Sequence, residues 1–225
     1  MKKLLIIAAH PDDEILGCGA TVAKMIDQGW EAKSVILGQG MVSRGVEDEE
    51  RALKQLREDA RRANHELGIA DVAFYDFPDN AFDRVPLLEI IKVVEKEVSN
   101  YKPDIIFTHF GGDLNIDHRR TFEAVLTATR PQPSFFNPTI YSFFIPSSTD
   151  WVDGFILKSF MPNIYFDVEG YIEKKLNALK CYTTEMRNYP HSRSIESLRI
   201  FSKYWGNRVG LNYVEPFILV RKIVR

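Results

Sequence analysis

The chain has 225 residues, 45% hydrophobic and 12% aromatic, and its 29 basic and 31 acidic residues leave a formal charge of −2. That length suits one α/β domain with a sizeable core, the composition excludes a disordered protein, and the charge balance gives no electrostatic footprint for nucleic acid. Cys18 and Cys181 are too few for a disulfide framework and fit a reducing compartment, and no run approaches the roughly 20 apolar residues of a membrane span, so a cytoplasmic protein is expected.

In chain order, the apolar run Leu4–Ala9 predicts a first strand, since it is too short for the core of a signal peptide. His10-Pro11-Asp12-Asp13-Glu14 follows and opens a helix that runs to about Gln28 and is closed by Gly29. Pro11 suits the first helical position, because its φ is already helical and the N–H it lacks would have no partner there. His10 and Asp13 then stand at i and i+3, on one face and close enough to bind one ion. Imidazole and carboxylate are ordinary zinc ligands, and a catalytic zinc takes about three protein ligands with one position left open. One ligand must therefore come from elsewhere. Asp12, between the two, is available to take a proton from water at such an ion. Acids in a first turn also complement the helix dipole, a role that needs one acid and not three.

The string from His10 to Glu14 after an apolar strand, with Leu16-Gly17-Cys18-Gly19 behind it, closely resembles the LmbE/PIG-L-like zinc-dependent N-deacetylases, which remove acetyl groups from amino sugars and their conjugates. The resemblance implies zinc ligation by His10 and Asp13 and a general base at Asp12. It also implies a Rossmann-like fold.

Ala32–Leu37 predicts a second strand, followed by the loop Gly38 to Gly45. Neither the dinucleotide nor the P-loop pattern is present there. Arg44 is the loop's candidate for holding a substrate phosphate or carboxylate, and a solvent-facing arginine is the alternative. Glu47–Leu67 predicts a charged surface helix with one buried stripe, Leu53, Leu56, Ala60, Ala63 and Leu67, ended by Gly68. Val72–Phe77 predicts a third strand, and turn chemistry accounts for Asp79 and Asn80 after it. A helix from Pro86 to about Asn100 and a strand over Lys102–His109 follow. Successive βα units of this length imply a doubly wound, mostly parallel sheet flanked by helices.

The stretch Gly111 to Arg119 is the second informative one. His118 is expected to open a helix reaching Ala128, at a carboxyl strand end like His10, and is the choice for the third metal ligand over His109, which lies in the strand. Asp117 is placed to fix an imidazole tautomer or to cap the helix. The family commonly carries His-x-x-His here, and its second histidine, a zinc ligand, matches His118. Asn115 replaces the first, and it can donate a hydrogen bond but cannot carry a proton. Some subfamilies have a closer Asp-x-Asn-x-Asp-His-Arg string, and Asp113 and Asn115 are expected at the substrate.

Thr139–Ile145 predicts a strand, and the hydroxyls of Ser147-Ser148-Thr149 beside Trp151 suit either sugar recognition or a loop with a core tryptophan. Ile164–Phe166 predicts a short strand, Val168 to about Tyr182 a helix, Ile195–Trp205 another and Val214–Arg221 a last strand. Family members often have His-x-Arg-Ser just before the penultimate element, which His191, Arg193 and Ser194 match. His191 is then the candidate to protonate the leaving amine or stabilise the oxyanion, the role Asn115 cannot fill, with a purely structural turn as the alternative, and Arg193 is expected at the substrate.

The expectation is one domain over 1–225, a zinc-dependent hydrolase (another divalent metal being compatible with nitrogen and oxygen ligands) that removes an N-acetyl group from a free, nucleotide-linked or lipid-linked GlcNAc-type sugar. The alternatives are a non-catalytic sugar- or nucleotide-binding protein and a metal hydrolase of another bond. No nucleic-acid partner is expected, and the resemblance leaves a homo-oligomer open.

Overall fold

The structure, a computed structural model, describes residues 1–40, 48–132, 137–154 and 157–224. Among these residues are seven strands, β1 (Lys3–Ala8), β2 (Glu31–Gly38), β3 (Asp71–Phe77), β4 (Ile105–Thr108), β5 (Thr139–Phe143), β6 (Ile164–Asp167) and β7 (Val214–Arg221), and six helices, the two kinds alternating as far as β5. The helices are α1 (Asp13–Asp27), α2 (Glu49–Leu67), α3 (Leu87–Tyr101), α4 (Ile116–Ala128), α5 (Ile172–Leu179) and α6 (Ile195–Asn207). One sheet takes the strands in the order β3-β2-β1-β4-β5-β7-β6. The first five are parallel, and β7 runs antiparallel to both its neighbours. This is the expected doubly wound, mostly parallel sheet.

The side-chain period of a strand is two, so β1 feeds both faces. Leu4 and Ile6 enter one core with residues of α1, α2, α5 and α6, while Leu5 and Ile7 enter the other beneath α3 and α4. The central strands therefore read as continuous apolar runs, as buried parallel strands do. From β1 the chain moves outward to β2 and β3, then crosses back to β4 on the other side of β1. The crevice at the carboxyl ends of β1 and β4 is thus the topological switch point, where open α/β sheets bind ligands.

Local chemistry sets the helix ends. Asp48 accepts from the Arg51 N–H at 3.0 Å and caps α2, which closes on Gly68 at φ 91°. Two boundaries differ from expectation for visible reasons. Asn115 caps α4 by accepting from the Asp117 N–H at 2.8 Å, so the helix starts at Ile116 and His118 lies inside its first turn. Val168 donates its N–H to the Tyr213 carbonyl at 3.0 Å beside the β6–β7 pairing, which delays α5 to Ile172. Among the described residues no helix is long and apolar enough to cross a membrane, and Cys18 and Cys181 are free.

Helix α1 lies flush on β5 at Gly17, where a Cβ would stand 2.5 Å from ring carbons of Phe143. Neither element can move away without opening the core, so Gly17→Ala is expected to cost about 1–3 kcal/mol of stability by overpacking. A denaturant titration checks this, and an unchanged midpoint would show that the ring has room to turn.

Candidate active site

Asp13 is the hub of the switch-point crevice. Its Oδ2 lies 3.3 Å from His10 Nδ1, 3.2 Å from His118 Nε2 and 3.5 Å from His109 Nε2, and it accepts the His10 backbone N–H at 3.0 Å. Burial raises a carboxyl's pKa, yet His118 and His10 hold Asp13 well below the usual carboxylate range. The imidazoles answer in kind. Burial opposes the charged form of His10, but Asp117 and Asp13 outweigh it and lift its pKa to about 10. The same contest, decided by Asp13 and Asp113, lifts His118 to about 9.

Each of these two imidazoles has its second nitrogen on a second acid. His10 Nε2 lies 2.8 Å from Asp117 Oδ2 and 3.4 Å from Asp79 Oδ1, and Asp117 is itself fixed by the Phe82 N–H at 2.9 Å. His118 Nδ1 lies 3.1 Å from Asp113 Oδ1. Such carboxylate–imidazole pairs fix the tautomer and aim the remaining nitrogen, the usual arrangement behind a metal-binding histidine. Asp117 therefore stands where the sequence puts it.

Asp113 does not stand where expected. It is fully buried and accepts from the Asn115 N–H, the Ser148 hydroxyl and, at 2.5 Å, the Thr149 hydroxyl, which leaves it behind His118 rather than at a substrate. Ser148 and Thr149, read from sequence as sugar contacts, point inward to it. His109, the competing ligand candidate, uses Nε2 to accept the Ala9 N–H at 2.8 Å, and burial beside His118 pushes its pKa well down, so it is a neutral ring that ties β4 to β1.

The donors His10, Asp13 and His118 offer one atom each within 4.8 Å of one another. Asp13 Oδ1 and His118 Nε2 are buried and have no hydrogen-bond partner among the described residues. Leaving such atoms unpaired is costly, and two imidazoles with one carboxylate form an ordinary ligand set for a catalytic divalent ion with an open position. The residues fit a metal.

Asp12 turns the other way. Its φ of 105° is strained for a residue with a side chain, at a cost of order 1–3 kcal/mol, and its carboxylate meets an arginine where that of Asp13 meets imidazoles. Asp12 Oδ2 accepts from Arg193 Nη1 at 2.7 Å, while Arg193 Nε donates to Ser147 Oγ at 2.7 Å and Nη1 lies 3.6 Å from Glu185. Burial pushes the Asp12 pKa well up and Arg193 pulls against it. Arg193, expected at the substrate, is thus first a partner of Asp12.

A cavity of about 260 Å³ opens over this group, lined among others by His10, Asp12, Asn115, His191 and Arg193, by Ser147 and Trp151 from the stretch read as suited to sugar recognition, and by Glu185 and Arg187, which the sequence did not single out. Asn115 keeps its carbonyl for the α4 cap and donates its amide to Asn80 Oδ1 at 3.0 Å. His191 Nδ1 accepts the Arg193 N–H at 3.0 Å, so the neutral ring carries its proton on Nε2. Trp151 is 55% exposed, which rules out a core tryptophan. Arg44 lies outside the described residues.

Over residues 5–129 the sequence matches the family model described as PIG-L, GlcNAc-PI de-N-acetylase. A protein of Thermococcus kodakarensis named diacetylchitobiose deacetylase is 29% identical over 226 residues, covering 96% of this chain and 82% of its own. An Escherichia coli protein named as an uncharacterized deacetylase is 30% identical over 185 residues, covering 80% and 89%. Among solved structures, a 4-carboxy-2-hydroxymuconate hydratase from Pseudomonas putida superposes with a TM-score of 0.80 at 20% identity, over 100% of this chain and 98% of that one. The last likeness is one of fold, and it shows that the fold alone does not choose the reaction.

The neighbouring acids hold His10 and His118 above their ordinary value of 6.5. The stability they contribute is therefore complete below about pH 6.5 and is lost as pH rises through 9 to 10. A cation at the same nitrogens must displace those protons, so at pH 7 zinc binding should release about two protons and tighten with rising pH. Calorimetry in buffers of different ionisation enthalpy measures this. Absence of release would mean that the imidazoles are already neutral.

Proposed function

The chain belongs to the PIG-L family, and from that premise we propose that it is a metal-dependent N-deacetylase, hydrolysing the N-acetyl amide of an amino sugar or its glycoconjugate. Zinc is the proposed ion, with His10, Asp13 and His118 as its ligands. The observation that carries the reading is Asp12: a carboxylate on the cavity wall, one residue from a ligand set, turned away from that set by its backbone and paired with an arginine. A binding protein has no use for a base at that position.

The bound ion would supply Lewis acidity, polarising the acetyl carbonyl and bringing the pKa of water toward 7. Asp12 accepts a proton from the attacking water. Its opposed influences suit the task, since burial raises its basicity and Arg193 keeps the ionised form accessible. Asp117 and Asp113 hold the His10 and His118 rings so that neither swings during turnover. His191 presents Nε2–H to the cavity and is proposed to hydrogen-bond the acetyl oxygen as charge develops there, while the proton that Asp12 takes from water is returned to the departing amine. Asn115 and Arg193 line the same cavity and are proposed to contact the sugar, Arg44 being the further candidate from the neighbouring loop.

A cavity of about 260 Å³ is close to the lower bound for small-molecule sites, a size that suits one sugar ring with its acetamido arm. The exposed face of Trp151 at its edge offers the apolar surface that sugar C–H groups prefer. Two free cysteines support placing the reaction in the cytoplasm.

Acetate release from a panel of N-acetylated amino sugars, free and nucleotide-linked, tests the reading on metal-loaded protein. Asp12→Asn is expected to lower kcat by about 10²- to 10⁴-fold with metal content unchanged, and His118→Ala to lose the metal. Full activity of Asp12→Asn, or no release by the wild type from any member, would overturn it.

A further inference from the structure

Glu14 is fully buried, and neither the ligand set nor the base employs it. Its Oε2 accepts the backbone N–H of Asp12 at 3.0 Å. Its Oε1 takes the Tyr182 hydroxyl and, at 2.8 Å, Asn64 Nδ2. Asn64 is held in turn by the Ser34 hydroxyl at 2.6 Å and by the Ala60 carbonyl at 2.9 Å. One carboxylate thereby joins β2, α2 and the segment after α5 to a single amide in the turn after β1.

That amide belongs to the residue at φ 105°. With the backbone so turned, the Asp12 N–H points into the dry layer between sheet and helices, where only a placed acceptor can satisfy it. Removing the acceptor would leave a buried donor on an already strained residue. The backbone would then relax toward negative φ and carry the Asp12 carboxylate away from Arg193 and the cavity.

We infer that Glu14 is a positioning residue: through its hydrogen bond to the Asp12 amide, braced by Tyr182 and Asn64, it holds the base in the conformation that faces the substrate. This rests on the reading of Asp12 as the base. It concerns geometry, and it assigns Glu14 no contact with substrate or metal.

Glu14→Gln keeps the side chain's volume but sets an amide donor either against the Asp12 N–H or against Asn64 Nδ2. For Glu14→Gln, acetate release is expected to fall about 10- to 100-fold in kcat with KM and metal stoichiometry unchanged. Tyr182→Phe, which removes one brace, is expected to lower kcat about three- to ten-fold and supplies the same comparison if Glu14→Gln does not fold. Hydrogen exchange of the Asp12 amide, followed by NMR, reads the geometry without activity. It should be slow in the wild type and at least about ten-fold faster in Glu14→Gln.

Unchanged kcat together with unchanged exchange would overturn the inference, as would a loss that tracks metal content or leaves the exchange of the Asp12 amide unmoved. A wild type that releases no acetate would refute the deacetylase reading, and the exchange of the Asp12 amide would still decide the role of Glu14.

Discussion

The crowding of three imidazoles around one buried carboxylate oxygen is the constraint on which the rest of the site depends. Asp13 cannot be ionised in a dry crevice unless positive charge stands beside it, and His10 and His118 cannot be aimed at it unless something holds their outer nitrogens. The sheet answers both needs at one place. The turn after β1 brings His10 and Asp13, the segment after β4 brings Asp113, Asp117 and His118, and the loops after β3 and β5 bring Asp79, Ser148 and Thr149. Protons on His10 and His118 offset part of the negative charge of these acids, and a divalent ion held by the same side chains would bring two positive charges in their place.

Helix α1 has to be held firmly for this to work, because its first residues carry both Asp13 and Asp12. Two buried arrangements hold it. Lys175 Nζ donates to the Leu16 carbonyl at 2.7 Å and to Glu215 at 2.6 Å, while Glu215 accepts the N–H groups of Ala20 and Thr21. A buried ion pair adds little to stability by itself, but every partner here is hydrogen-bonded, and the pair ties α1 to α5 and β7. On its other flank Gly17 lies against Phe143, whose ring packs 4.8 Å from that of His109. Helix placement and imidazole placement are one problem.

This divides what was legible in the sequence from what was not. That His10, Asp12, Asp13 and His118 meet at the carboxyl edge of the sheet was readable because each follows an apolar strand, and chain direction sends it there. His118 lies among those donors, whereas His109 spends its Nε2 on the Ala9 amide. Asp113 was misplaced because spacing reveals which end of a strand a residue occupies and not whether its side chain faces a pocket or the ring behind it. The pairing of Asp12 with Arg193 spans 181 positions, and that of Glu14 with Tyr182 spans 168. No local period encodes such contacts. They follow from where loops land once the sheet is assembled.

Two neighbouring carboxylates meet opposite environments here, and the backbone between them is what sets the difference. In a regular helix start, Asp12 and Asp13 would differ by about 100° and share one electrostatic environment. The turn at Asp12 moves them apart, so that Asp13 faces three imidazoles and falls in pKa while Asp12 faces an arginine and a cavity and rises. Splitting the pKa values of paired acids is how a site obtains a fixed anion and a working base from the same residue type. The strain at Asp12 is therefore the physical means of that division, and the buried acceptors around it are the reason it persists in the folded chain.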